Sequence, residues 1–262
     1  MWRAWQDDAM GRGRLVLGIT AWAAPVLAHV QPSVDDNNRY LKVTPAADRV
    51  RLAYTVFFGE VPGAQTRPQI DANHDGRLDD AESGAFGHKL AAEVAASLEL
   101  TLDGVTQPVR WTMVAVGLNT PTTAGGAFAV DLVAWPCLTT AGGRHQLLLH
   151  DRFRIPRPGE TEVRIEDAPG ITVDHARVGA TVTSDTLTFV FVGPGGPLTD
   201  DGLDLAFTAA GPAPRSTDGT CAAVPRAPVP GTSTGLVVGA AAVLGLGLAG
   251  GMTVRRRRRA RR

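Results

Sequence analysis

Apolar and polar residues alternate along most of the middle of this chain. The runs Arg39–Thr44 and Arg49–Phe58 put every second side chain on one face. Pro45-Ala46-Ala47-Asp48 between them is turn-forming, so the pair predicts a β-hairpin or two neighbouring strands. The same period returns at Glu99–Leu102, closed by an Asp103-Gly104 turn, and at Val109–Val116, Phe128–Trp135, Gln146–His150, Thr161–Ile165, Ile171–Asp174, Thr186–Val192 and Leu203–Phe207. Eight to ten short runs separated by Gly, Pro, Asp and Asn predict a mainly β body over residues 29–208, an antiparallel β-sandwich. The period changes once. From Asp80 to Leu98, Phe86, Leu90, Val94 and Leu98 recur every fourth residue with Ala91 and Ala95 beside them, predicting one amphipathic helix inserted among the early strands. Gly84 and Gly87 weaken its first turns. Just before it, Gly59–Ile70 carries Pro62, Gly63 and Pro68, which argue against a full helix there.

Two longer apolar runs stand outside the alternation. Arg12 and Arg14 precede Leu15–Leu27, and Val26-Leu27-Ala28 offers small residues at a cleavage site, so residues 1–28 read as a secretory signal peptide. Asp7 and Asp8 suit such a leader poorly, and Met10 is an alternative start. Cleavage after Ala28 leaves His29 first. At the other end, Leu236–Val254 is nineteen residues without a charge, followed by the seven arginines of Arg255–Arg262. That length predicts one transmembrane helix over 234–254, with residues 255–262 as a cytoplasmic tail. Pro212, Pro214, Pro225, Pro228 and Pro230 make 209–233 an extended spacer. The chain is therefore expected to be exported and held at the cell membrane by a single pass, its body outside the cytoplasm. Gly235/Gly239 and Gly247/Gly251 have the spacing of helix-pairing motifs within that span. Pro228-Val229-Pro230, the Gly/Leu-rich span and the arginine cluster together resemble the tripartite sorting signals of exosortase substrates. Val229 stands where that signal has glutamate, and a plain anchor is the reading taken.

The formal net charge of zero conceals an acidic centre. With both ends set aside, 16 basic side chains face 24 acidic ones, which excludes nucleic acid as the natural partner. The 30 glycines and 18 prolines of the 262 residues favour strands joined by turns over a helical bundle.

The acidic charge is densest at Asp71–Glu82, D-A-N-H-D-G-R-L-D-D-A-E. Asp71, Asn73, Asp75, Asp79 and Glu82 occupy positions 1, 3, 5, 9 and 12, Gly76 sits at the sharp turn of position 6, and Arg77 at position 7 offers its backbone carbonyl. A hard divalent cation takes six to eight oxygens, and alternate residues of a tight turn can all aim at one centre. Four carboxylates this close repel one another without a cation between them. The stretch resembles an EF-hand calcium loop, and the resemblance implies Ca²⁺ as the ion, with Glu82 closing the sphere through both carboxylate oxygens. With no helix expected before it, the site reads as half a helix-loop-helix hand, without a second loop to pair with, and structural rather than switching. Leu78 at position 8 pins the loop to a core, and His74 points away.

Asn38–Val43, Arg49–Pro62 and Ile70–Leu78 also resemble the extracytoplasmic domain that precedes membrane-embedded nickel/cobalt transporters in some bacteria. That family has a mature histidine and a similar acidic loop. Here one hydrophobic span replaces the multi-helix transporter, so transport itself is not implied. A processed His29 would join an α-amino group to an imidazole, a chelating pair suited to copper or nickel. His88, His145, His150 and His175 are its possible partners. Cys137 and Cys221 suit an oxidising compartment, where they either form one bridge or remain two free thiols.

Two catalytic matches carry no chemistry. Gly231-Thr232-Ser233-Thr234-Gly235 fits G-x-S-x-G inside the spacer, and Gly245–Gly250 fits G-x-G-x-x-G inside the membrane span, neither in the strand-to-helix context its chemistry needs. No nucleophile–base pair emerges by spacing, and an enzyme is not expected. The sequence thus points to an exported, membrane-anchored, non-enzymatic module in which Ca²⁺ stabilises a β-rich body. The alternative is a nickel, cobalt or copper binding or delivery protein acting beside a separate transporter.

Overall fold

The hairpin expected at the start of the body forms, and the molecule is built outward from it. The structure, a computed structural model, describes residues 35–182, 187–210 and 221, all within the unit Met1–Ala227. The leader, most of the spacer, the membrane span, the arginine tail and His29 lie outside the described residues. Among the described residues no helix is long and apolar enough to cross a membrane.

Strand β1 (Asn37–Pro45) pairs antiparallel with β2 (Val50–Phe58), Pro45 opposite Val50, and the Ala46 amide donates to the Arg49 carbonyl to close the turn. In β2 burial alternates strictly: Val50, Leu52, Tyr54, Val56 and Phe58 face inward. A long excursion follows through helices α1 (Glu60–Ile70) and α2 (Asp80–Ser97). The chain then returns to strands β3 (Leu98–Leu102), β4 (Val105–Gln107), β5 (Trp111–Gly117), β6 (Phe128–Ala134), β7 (Gly143–Asp151), β8 (Pro158–Ile165), β9 (Ile171–Val178), β10 (Thr181–Val182) and β11 (Thr188–Val192). A short helix α3 (Gly196–Asp200) and strand β12 (Leu203–Ala209) complete it. The strands form two six-stranded sheets, ordered β11-β8-β1-β2-β6-β5 and β10-β9-β12-β7-β3-β4. Among the described residues strand outnumbers helix, 49% against 20%, so the fold is mainly β, and its sheets are rich in antiparallel pairs. Among the described strands the exception is β1 with β8, which run parallel.

Inward side chains of both sheets form one buried cluster. It includes Leu41, Leu52, Val56, Phe128, Leu132 and Val163 from one sheet and Leu100, Leu147, Leu149, Leu205 and Phe207 from the other. A polar knot lies within it. Arg39 Nη1 of β1 sits 2.9 Å from Asp151 Oδ2 of β7, with both side chains almost wholly buried. Arg39 Nη2 donates to the Phe153 carbonyl at 2.6 Å, and the Tyr54 hydroxyl donates to Asp151 Oδ2 at 2.8 Å. Burial raises the Asp151 carboxyl above its ordinary value although Arg39 pulls the other way. Burial, then the Asp151 charge, pushes the Tyr54 phenol well up. Cys137 and Cys221 are bonded, their Cα atoms 5.6 Å apart. Closing 84 residues of chain in this way is worth about 4.5 kcal/mol by chain entropy.

Two helical expectations need correction. The segment ahead of the acidic loop is a helix, α1, despite its prolines. Pro62 lies in the first turn, where its missing N–H costs no intrahelical bond, whereas Pro68 lies inside the helix two residues before its end and forgoes its bond to the preceding turn without stopping the helix. The Gly63 amide still donates to the Gly59 carbonyl at 2.7 Å. Helix α2 runs Asp80–Ser97, Leu98 already beginning β3. Its Gly87 lets the helix sit close to the sheet: a Cβ there would lie 2.7 Å from Val116 Cγ2 of β5. The buried face of α2 carries Gly87, Leu90, Ala91 and Val94, while Phe86 packs at its edge. Trp111 Nε1 donates to the Ala91 carbonyl at 2.8 Å.

Candidate metal centre

The acidic stretch Asp71–Glu82 joins α1 to α2, and its own amides fold it into a closed turn. Asp71 Oδ1 accepts the Asp75 amide at 3.2 Å and Oδ2 the Gly76 amide at 3.0 Å. Asn73 Oδ1 also accepts the Asp75 amide, and Asp75 Oδ1 accepts the Arg77 amide, each at 2.8 Å. Gly76 has φ 82, the left-handed turn that glycine makes without a Cβ penalty. Glu82 reaches back from the first turn of α2. Its Oε1 accepts the amides of Ala72 at 2.9 Å and Asn73 at 3.2 Å, and its Oε2 accepts the Asp79 amide at 3.1 Å. Asp79 Oδ1 accepts the Glu82 amide at 2.8 Å, completing a capping box. The last residue of the stretch thus lies across its opening, joining positions 2, 3 and 9 to position 12.

The donor set is all hard oxygen: carboxylates of Asp71, Asp75, Asp79 and Glu82, the side-chain oxygen of Asn73 and the carbonyl of Arg77. That chemistry fits Ca²⁺ and offers nothing soft for copper or nickel. Among the described residues no trio of His, Cys, Asp or Glu already converges on one point. The loop oxygens are instead turned onto loop amides, and a cation would have to draw them together.

Leu78 is buried in the core and pins the loop as its position suggests, but a second anchor is not visible in the loop's own sequence. Residues 118–127, the arm joining β5 to β6, run alongside it. The Leu78 amide donates to the Pro121 carbonyl at 3.1 Å, the Thr123 amide donates to the Gly76 carbonyl at 3.1 Å, and Arg77 and Thr122 form an isolated antiparallel bridge. This arm occupies the pairing edge for which no second loop was expected. Helix α1 holds the arm through one face. Glu60 Oε2 accepts the Ala127 amide at 3.2 Å. At Gly63 a Cβ would lie 2.6 Å from the Gly126 carbonyl oxygen, so only glycine permits this approach. One turn on, the buried Arg67 donates from Nε to Gly126 O at 2.8 Å and from Nη1 to Thr120 O at 2.6 Å and Thr122 O at 2.9 Å. Its Nη2 donates to the carbonyls of Leu118 and Ala127. Burial lowers the guanidinium from its ordinary value, with Glu60 countering. Sequence reading passed over Glu60, Gly63 and Arg67. Their only signal is a glutamate, glycine and arginine at helical spacing, with the diglycine Gly125-Gly126 more than fifty residues away.

The unit is seated on the sheet by three rings. Phe58 and Phe128 stack with centroids 4.4 Å apart, and Phe86 of α2 lies 5.9 Å from each. Phe58 precedes α1 and Phe128 follows the arm, so both ends of the assembly meet at one place.

The histidines are only partly gathered. His145 and His175 line one hollow of about 420 Å³ with Asp103, Arg144, Gln146, Asp204 and Ala206. His88 and His150 are not among its walls. His145 is buried, Nδ1 2.9 Å from Asp103 Oδ2 and Nε2 3.1 Å from the Gly142 carbonyl. Burial raises the Asp103 carboxyl, but hydrogen bonds from His145, the Gln146 amide and Thr139 outweigh it and leave it below the ordinary value. A carboxyl depressed on folding stabilises above its unfolded pKa, and that stabilisation is lost as pH falls through the folded value. Asp103→Asn, which keeps a side chain tolerant of the φ of 51 found here, should cost about 1.5 kcal/mol at pH 7. In urea unfolding the gap from wild type should close as the pH is taken below about 4; a gap independent of pH refutes the assignment.

Compared with protein-family models and with curated proteins, the chain matches none.

Proposed function

We propose that this chain is an exported calcium-binding module, held at the membrane by one C-terminal helix, in which Ca²⁺ stabilises a β-sandwich-like body. The role is structural, or one of interaction with a partner, rather than catalytic. The observation that carries the reading is the Asp71–Glu82 loop, closed by Glu82 and set between two helices, with six oxygen-donating residues in calcium-loop order. Asp71, Asn73, Asp75, Asp79 and Glu82 would hold the ion by side chains and Arg77 by its carbonyl. The bound ion supplies charge that offsets the repulsion of four carboxylates and contributes no reaction chemistry.

Helix α1 precedes the loop, so a missing leading helix is not the reason for a structural role. A different one supports the same reading. Both the loop and α1 are hydrogen-bonded to the arm that continues into β6. Opening the hand as a sensor does would break these bonds.

Millimolar or submillimolar affinity suffices outside the cell. At 100-fold excess over the dissociation constant, Ca²⁺ should add about 2.7 kcal/mol to the unfolding free energy. Thermal melts of the purified chain with Ca²⁺ and with chelator test this, and coincident midpoints refute it.

A further inference from the structure

We infer that Arg67 is a positioning residue for the calcium loop: by gathering the carbonyls of residues 118–127 it holds the arm edge against which Gly76 and Leu78 are bonded, and so sets the affinity of a site it does not touch. The inference rests on the calcium reading of Asp71–Glu82. Arg67 lies four residues before the first ligand, on the helix that delivers it. Its guanidinium is buried and reaches five arm carbonyls. Three of them, on Leu118, Thr120 and Thr122, belong to the part of the arm that turns toward the loop.

The effect is transmitted by direct contact. The Pro121 carbonyl and the Thr123 amide flank Thr122, whose own carbonyl Arg67 holds at 2.9 Å. These two groups take the Leu78 amide and the Gly76 carbonyl, immediately beside the ligand position Arg77. The Thr123 hydroxyl adds a second bond to the Gly76 carbonyl at 3.3 Å. Without the guanidinium the arm carbonyls would converge with no donor among them. The arm would have to splay, leaving the loop free to take shapes that cannot close on an ion. Prior ordering of a loop lowers the cost of binding, and the coupling must run both ways. Calcium should therefore tighten the arm.

Lysine keeps the charge and the stem but lacks the planar fork that reaches several carbonyls at once. Calorimetric titration of the full chain with CaCl₂ should show Arg67→Lys raising the dissociation constant about tenfold, with circular dichroism unchanged. In the wild-type chain, hydrogen exchange should show Ca²⁺ slowing the amides of both Leu78 and Thr123. Arg67→Lys should abolish the response at Thr123. A purely structural role for Arg67 moves neither reading. Wild-type affinity in Arg67→Lys overturns the inference and leaves the calcium reading intact, as does slowing confined to 71–82 in the wild type. If Arg67→Lys does not fold, Arg67→Gln, which keeps a donor but not the fork, is titrated in its place, and wild-type affinity there overturns the inference. No heat of uptake and no slowing in the wild type removes both readings together.

Discussion

Glu82→Gln should abolish calcium-dependent stabilisation while leaving the calcium-free protein close to wild type. Glutamine can still complete the capping box with Asp79, because that box needs only a side-chain oxygen three residues into the helix. In chelator the cost should be about 1 kcal/mol, from amides of Ala72, Asn73 and Asp79 that now share one acceptor. In saturating Ca²⁺ the variant should also forgo the roughly 2.7 kcal/mol that a 100-fold excess supplies to wild type. Its dissociation constant should rise beyond the 10–100-fold that losing even an outer partner of a metal site costs. Chemical denaturation in the two buffers separates the terms. An equal loss in both would make Glu82 a helix cap and nothing more.

Asp151→Ala should be the most damaging single substitution in the body, costing about 3–5 kcal/mol. It leaves the buried Arg39 guanidinium without its counter-ion and the Tyr54 hydroxyl without its acceptor. Replacing the three together, as Arg39→Met, Asp151→Leu and Tyr54→Phe, should be far milder, because a buried ion pair repays little beyond its desolvation. The pH dependence has the opposite sign from that at Asp103. The raised Asp151 pKa means that ionisation opposes folding, so this site loses stability as pH climbs from the unfolded carboxylate value to the folded one. Urea midpoints of the single and triple variants check the claim, and equal losses would refute it.

Much of the architecture was legible because burial follows the side-chain period. Val50 to Phe58 alternates without exception, so β2 could be read from its sequence alone. The closed turn at Asp71–Glu82 was legible because Asp, Asn and Gly recur there at turn-forming spacing. What escaped reading depended on context. Pro62 and Pro68 both read as helix breakers, and only the observed ends of α1 show that Pro62 falls in the first turn and that Pro68 comes too near the end to stop the helix. Gly87 looked like a weak point in α2 and proves to be the clearance that lets the helix meet Val114 and Val116. The pairing of β1 with β8 spans more than a hundred residues, and no local pattern encodes it. Arg67 was passed over for the same reason, since its five acceptors lie beyond the reach of any window around it.

The covalent link between Cys137 and Cys221 has a mechanical corollary. Strand β12 lies in the middle of its sheet, between β9 and β7, and its last residue, Ala209, comes shortly before Cys221. Tension applied to the chain beyond Cys221 would, without the link, peel β12 from its neighbours one rung at a time. With the link, the load enters at Cys137, beside the rung that residue shares with Arg49, and the centre of the sheet is bypassed. If the body is held by its tail, as proposed, it can be tugged without being unzipped.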